Sequence, residues 1–97
     1  LLNDEMFIEL AQAAGELVHQ KKEDPVESLF RRFLTRMPKA EERKALQEYF
    51  HQQVERLQAG ELKAGDIAGN PRADPQWAGK VLLARAIMNL DETITKP

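Results

Sequence analysis

The chain has 97 residues, 42% of them apolar and 31% charged, and its formal net charge is −2. This length suits one domain with a single core, and the balance of apolar and charged residues excludes wholesale disorder. The small net charge argues against nucleic acid or an anionic membrane as the main partner. Cysteine is absent, which excludes disulfides, thiol catalysis and thiolate metal sites. No apolar run approaches the roughly 20 residues that a membrane-spanning helix needs.

Two segments in the first half of the chain have the period of amphipathic helices. The first is predicted over residues 3–22, because apolar side chains recur every three or four positions. The second begins at Asp24-Pro25, where the aspartate can cap the helix and the proline suits its first position. It is predicted to continue to Met37, because the residue before Pro38 disfavours helical geometry.

The second half of the chain predicts two more helices and a long connection between them. A third helix is predicted over residues 39–57, although Lys39 is a poor capping residue. Residues 59–74 contain three glycines and a proline, which predict a long loop with room for a short helical turn around residues 63–67. The fourth helix begins at Asp74-Pro75 and runs to about Glu92. Its apolar belt is so broad that we expect it at the centre of the fold.

These elements predict an all-α fold. We expect one domain over residues 1–97, built as a compact bundle of four helices with a long loop between helices 3 and 4. The five apolar aromatic residues come from all four helices and predict one shared core: Phe7, Phe30, Phe33, Phe50 and Trp77. Because the sequence opens on Leu1 without an initiator methionine, we expect a domain excised from a larger protein.

The residue types that form catalytic and metal sites in other proteins do not occur here in a recognisable pattern. The two histidines, His19 and His51, each have glutamates at helical spacing, so a carboxylate–histidine pair is an alternative to a plain surface histidine, but a zinc site needs three or four ligands. The only serine, Ser28, lies near the start of a helix and lacks the glycines of a nucleophile elbow. We therefore predict no catalytic, metal or cofactor-binding residue, and a chain that is not an enzyme by itself.

A group of basic residues around the second and third helices is the main candidate for a surface with a function. Arg31, Arg32 and Arg43 form a candidate interaction surface. Arg36 is predicted to form a structural ion pair, with Glu42 or Glu92 as its partner. A helix-turn-helix-like connection can read DNA, but acidic residues interleave with this group and favour ion pairs within the chain. We therefore expect no nucleic-acid partner.

Three motifs resemble a known family. The opening residues 1–4 with Phe7 are similar to an "LLND-(P)-F" entry into a helix. The turn at residues 29–38 and the following Glu41-Glu42 are similar to a "hydrophobic-x-R-x-P-(T)-x-E-E" motif. Trp77 with residues 84–92 resembles a closing "W…ARxLLNxxEF" helix. The order and spacing of these three motifs resemble those of the C-terminal domain of unknown function of large planctomycete-type proteins. Such proteins often carry an N-terminal planctomycete cytochrome c domain.

The resemblance implies a bacterial parent protein outside the cytoplasm and a module whose biochemical role is not established. It carries over no catalytic or haem-binding residue. Two function classes follow from the sequence as a whole. The first is a non-catalytic structural or interaction module that packs against upstream domains of its parent or against a partner protein. The alternative is an accessory domain that completes an enzyme or ligand site formed mainly upstream. The sequence leaves the oligomeric state open.

The two classes predict different surfaces. An interaction module should expose an apolar patch of more than a few hundred Å2. An accessory domain should instead show a deep pocket lined by Arg31, Arg36 or His51.

Overall fold

The regular structure of this chain is helical throughout the part that the structure describes. The computed structural model describes residues 2–90. It contains α1 (Asp4–Lys21), α2 (Pro25–Phe33), α3 (Ala40–Gln58), α4 (Ala64–Ala68) and α5 (Pro75–Met88). The predicted all-α class is confirmed. The predicted count of four helices is wrong for residues 2–90, because a fifth helix, α4, lies inside the expected loop.

Three of the helices begin where the sequence places a capping side chain. The Oδ1 atom of Asn3 accepts the backbone N–H of the residue three positions on, at 2.8 Å. Asp24 and Asp74 cap α2 and α5 in the same way, and each is followed by a proline at the first helical position. Each carboxylate satisfies amides that have no partner within the helix. The local sequence therefore determines these three starts.

The end of α2 differs from the prediction. The helix was expected to reach Met37, but it ends at Phe33, and Leu34 has the extended backbone angles φ −124° and ψ 152°. The Leu34 side chain is buried in the core. The proline effect acts only on the residue before Pro38. Tertiary contacts of the intervening residues therefore end α2 four residues before Met37.

The predicted loop of residues 59–74 is largely ordered against the core. The short helix α4 lies where the sequence left room for a helical turn, and it ends at Gly69, which has φ +70°. α4 packs against α5 and α1. The side-chain amide of Gln12 in α1 donates to the carbonyl of Ile67 at 3.2 Å. The long connection is thus attached to α1 through its own backbone.

α5 is the centre of the fold, as its apolar belt predicts. It packs against all four other helices, and Val81, Ala84 and Ile87 are fully buried. α5 ends at Met88 and is capped at Asn89. The prediction extended this helix to Glu92, which lies outside the described residues. Residues 89 and 90 are not helical, so the predicted end was too late.

Two glycines bring neighbouring helices unusually close to α5. A Cβ atom on Gly15 of α1 would lie 2.6 Å from Cγ2 of Val81 and 2.9 Å from its Cα and N atoms. A Cβ on Gly79 of α5 would lie 2.7 Å from Cγ2 of Val54 in α3. The absence of a side chain at Gly15 lets the backbones of α1 and α5 approach each other, and its absence at Gly79 makes room for α3 side chains against the α5 backbone.

We predict that Gly15→Ala destabilises the protein. Helix propensity alone would favour alanine by about 1 kcal/mol. The contact with Val81 backbone atoms cannot be relieved by a rotamer change, and overpacking of this kind costs about 3 kcal/mol. We therefore expect a net loss of about 2 kcal/mol in urea unfolding.

The control is Ala13→Gly at an exposed position of the same helix. It should cost about 1 kcal/mol through propensity alone. A Gly15→Ala variant that is more stable than the parent would contradict the close approach of α1 and α5.

Candidate functional site

A bidentate ion pair fixes the connection between α2 and α3. Nη1 and Nη2 of Arg36 donate to Oε1 and Oε2 of Glu42 at 2.7 and 2.8 Å. Oε1 of Glu42 also accepts the backbone N–H of Lys39 at 2.8 Å. The guanidinium carbon of Arg36 lies 5.0 Å from the ring centroid of Phe30. Of the two partners proposed from the sequence, Arg36 contacts Glu42, while Glu92 lies outside the described residues.

The same contacts explain how α3 begins without a capping side chain from Lys39. The Glu42 carboxylate accepts the Lys39 amide, which is one half of a capping box. Hydrogen bonds from Arg36 and then from the Lys39 backbone lower the pKa of Glu42 to about 2. Glu42 therefore stays ionised in the folded protein far below the pH at which an ordinary glutamate is protonated.

The other arginines of the candidate surface have different environments. Arg43 in α3 lies 3.4 Å from Glu27 and 3.7 Å from Asp24, so it joins α3 to the start of α2. Arg32 has only a long contact of 3.9 Å with Glu23. Arg31 is exposed and forms no ion pair within residues 2–90. The structure thus leaves Arg31 and Arg32 available at the surface and engages Arg43 within the fold.

An open surface cleft lies beside the Arg36–Glu42 pair. Its volume is about 340 Å3, and its lining residues are Arg31, Leu34, Thr35, Arg36 and Met37. The Arg36 guanidinium is already bonded to Glu42 through both terminal nitrogens. The cleft therefore offers a ligand the exposed Arg31 side chain rather than a convergent pair of arginines.

A groove with mainly apolar walls runs along the surface between the first two helices. Its volume is about 300 Å3, and we call it the α1–α2 groove. Its lining residues are Leu10, Ala13, Ala14 and Leu17 from α1, with Arg32 and Phe33 from α2. Met6 lies one turn before Leu10 and is 48% exposed. Met6, Leu10, Ala13 and Leu17 recur at helical spacing and form a second apolar stripe beside the core face of α1.

A second polar cluster joins the end of α1 to the start of α5. Nζ of Lys80 lies 2.9 Å from Nδ1 of His19 and can donate to it. Nε2 of His19 lies 3.9 Å from Oδ1 of Asp74. The Trp77 ring stacks on the imidazole with the two centroids 5.6 Å apart. These contacts join residues 61 positions apart in the sequence, so they act as a polar clamp between two helices.

Burial and charge both favour the neutral imidazole in this clamp. Desolvation lowers the pKa of His19 below 6.5, and the positive charges of Lys80 and Lys22 lower it further, while Asp74 acts in the opposite direction. Burial also lowers the pKa of Lys80. A neutral His19 can accept the hydrogen bond that Lys80 donates, whereas a protonated one cannot.

The described residues do not bring a set of catalytic groups together. Among residues 2–90, no group of three or more histidine, aspartate or glutamate side chains could hold a metal ion. The Ser28 hydroxyl donates to the Glu23 carboxylate at 2.7 Å and has, in this part of the chain, no histidine partner of the kind found in a serine nucleophile site. His51 is exposed beside a shallow depression at the start of α2. Within the same residues, no helix is both long and apolar enough to cross a bilayer.

Comparison of the chain with protein-family models, with curated proteins and with solved structures finds no match.

Sequence reasoning identified Arg36 and Glu42 and missed the groove and the polar clamp. The groove could have been found from the sequence, because the apolar positions of α1 cover more than one helical face. The contact of His19 with Lys80 has no local signal, since it depends on how the ends of two distant helices align. The groove is the strongest candidate for a functional surface, because it exposes apolar side chains that the core does not bury.

We predict that the Arg36–Glu42 pair stabilises the folded protein at neutral pH and that this stabilisation is lost in acid. Glu42→Gln should be less stable than the parent at neutral pH, because the variant loses the charged hydrogen bonds. The pKa of Glu42 is lowered from 4.5 to about 2 on folding. The difference between the two proteins should therefore shrink as the pH falls below 4.5 and vanish near 2.

Urea unfolding at a series of pH values measures this difference. The control is Glu41→Gln, because Glu41 is an exposed neighbour in the same helical turn. A Glu42→Gln variant with an unchanged free energy of unfolding at pH 7 would refute the role of the pair.

We predict that His19 makes the protein less stable in mild acid. Folding lowers the pKa of His19 below 6.5, so the unfolded chain takes up the proton first. The stability that depends on neutral His19 is present above pH 6.5 and is lost as the pH falls below that value. A titration followed by NMR of the imidazole ring measures the pKa directly. Lys80→Met should raise the pKa of His19, because a like charge is removed, and a pKa at or above 6.5 in the parent would contradict the clamp.

Proposed function

We propose that this chain is a non-catalytic protein-interaction module and that the α1–α2 groove is its contact surface. The observation that carries the proposal is the apolar stripe of α1, which lies beside the core face and stays partly in water. Met6 and Ala13 are exposed, and Leu10 and Leu17 are only partly buried. Apolar side chains that lie side by side and stay partly in water are available to a partner, and exposed apolar patches of a few hundred Å2 mark contact sites between proteins.

The groove shares part of its wall with the core, because Ala14 belongs to the core cluster and Leu10 and Phe33 pack against it. The fully buried side chains of Val18, Leu29, Phe30 and Leu83 are held elsewhere, between α1, α2 and α5. Partly exposed leucines contribute less to folding than fully buried ones, since less apolar surface leaves water. Leu17 is partly exposed and lies outside the core cluster, so it is the groove leucine best placed to contact a partner.

The wider context of the module belongs to the same proposal. The resemblance to the C-terminal domain of planctomycete-type proteins supports a larger bacterial parent outside the cytoplasm. The occupant of the groove would then be an upstream domain of that parent or a partner protein. The alternative, an accessory ligand site at the Arg31 cleft, has less support because Glu42 already binds both terminal nitrogens of Arg36.

We predict that a photo-crosslinker in the groove captures one specific polypeptide. The chain has no cysteine, so a single introduced cysteine can be labelled uniquely. Ala13→Cys places the label in the groove, and Gln52→Cys places it on the exposed side of α3 as the matched control. The labelled protein is irradiated in its own cells, and the products are identified by mass spectrometry.

The expected result is one dominant product from Ala13→Cys, joined to another part of a longer parent chain or to one partner. The control should not give this product. Identical patterns from the two positions, or no product from Ala13→Cys, would refute the proposed contact surface.

A further inference from the structure

The two edges of the α1–α2 groove carry opposite charges. On the α1 edge, Ala13 is followed by Glu16 three residues later and preceded by Glu9 four residues earlier. Residues at these spacings are neighbours on a helix surface, so both glutamates flank Ala13 along the α1 edge of the groove. On the α2 edge, Arg32 lines the groove, whereas the exposed Arg31 lines the neighbouring cleft.

These charges are available to a partner. Glu9 forms no ion pair with another described residue, and the only contact shown for Glu16 is a hydrogen bond from Gln20 at 3.3 Å. The Arg32 guanidinium has only its long contact with Glu23. Because exposed pairs at such distances contribute little, the arginine can exchange Glu23 for a carboxylate on a bound partner.

The shape of the groove favours a single helix as its occupant. Leu10 and Leu17 are seven residues apart, which is about 10 Å along α1, or two helical turns. A ridge of apolar side chains at positions i, i+3 or i+4, and i+7 of another helix matches this length. A second copy of the chain is a poor fit, because a twofold contact would place a groove against a groove rather than a ridge.

We infer that the α1–α2 groove binds an amphipathic helix that carries acidic residues along one side of its apolar ridge and basic residues along the other. The acidic side faces Arg32, and the basic side faces Glu9 and Glu16. Because the two edges differ in sign, they also fix the direction in which the helix lies. This inference rests on the proposed function and specifies the partner of the same groove.

Synthetic helical peptides with an identical leucine ridge test the inference. One peptide has an acidic and a basic side, a second has two acidic sides and a third has two basic sides. Fluorescence anisotropy at low salt measures their affinity for the chain. We expect the mixed peptide to bind about tenfold more tightly than either of the others, as two or three exposed ion pairs acting together would give. High salt should reduce this preference.

Two variants identify the cause of binding. Arg32→Glu should remove the preference for the mixed peptide and improve binding of the peptide with two basic sides. Leu17→Gln should weaken all three peptides, because it disrupts the apolar floor. Circular dichroism and urea unfolding check that both variants remain folded.

The outcomes separate this inference from the proposed function. Equal affinity for the three peptides, with loss of binding in Leu17→Gln, would refute the charge pattern and leave the interaction module intact. No peptide binding, together with no crosslinked product from Ala13→Cys, would refute both. Two further results would overturn the inference. A dimer in sedimentation that depends on Leu17 would mean that a second copy of the chain fills the groove. Peptide binding only after removal of residues 91–97 would mean that this segment fills it.

Discussion

The close approach of α1 to α5 at Gly15 is the constraint on which the rest of the structure depends. Without a side chain at Gly15, the backbone of α1 lies directly over Val81. At Gly79 of α5, the absence of a side chain makes room for the side chains of Val54 and Phe50 from α3. α5 can therefore be enclosed by the other helices with almost no polar face of its own. This enclosure explains how a domain of this size buries half of the residues of its central helix.

The surface groove follows from this arrangement and from the short length of α2. α1 uses its small residues to meet α5, so its neighbouring leucines face α2 instead. α2 ends at Phe33, where Leu34 turns into the core and Arg36 is held by Glu42. The N-terminal half of the α1 stripe then has no complete cover from α2. The ion pair at the α2–α3 connection thus contributes to the shape of a surface that it does not itself line.

The local sequence predicted helix starts that are determined by neighbouring residues. It did not predict features that depend on tertiary contacts. The starts of α2 and α5 follow from Asp24 and Asp74, whose side chains cap amides only two or three residues away. The end of α2 could not be predicted in this way, because the burial of Leu34 ends the helix although the apolar spacing continues to Met37. The apolar belt of α5 correctly predicted its central place. The contact between His19 and Lys80 was not predictable, since no local pattern links two helix ends 61 residues apart.

The uneven distribution of charge gives the groove a property that its apolar residues alone would not have. An apolar groove without charged edges would accept almost any helix with a leucine ridge, in either direction. Residues 1–24 carry a net charge of −4 and residues 25–50 a net charge of +2, and the groove lies where these two segments pack together. A misaligned helix would place like charges opposite each other, which is unfavourable. The apolar floor can therefore supply affinity while the two edges supply selectivity and direction.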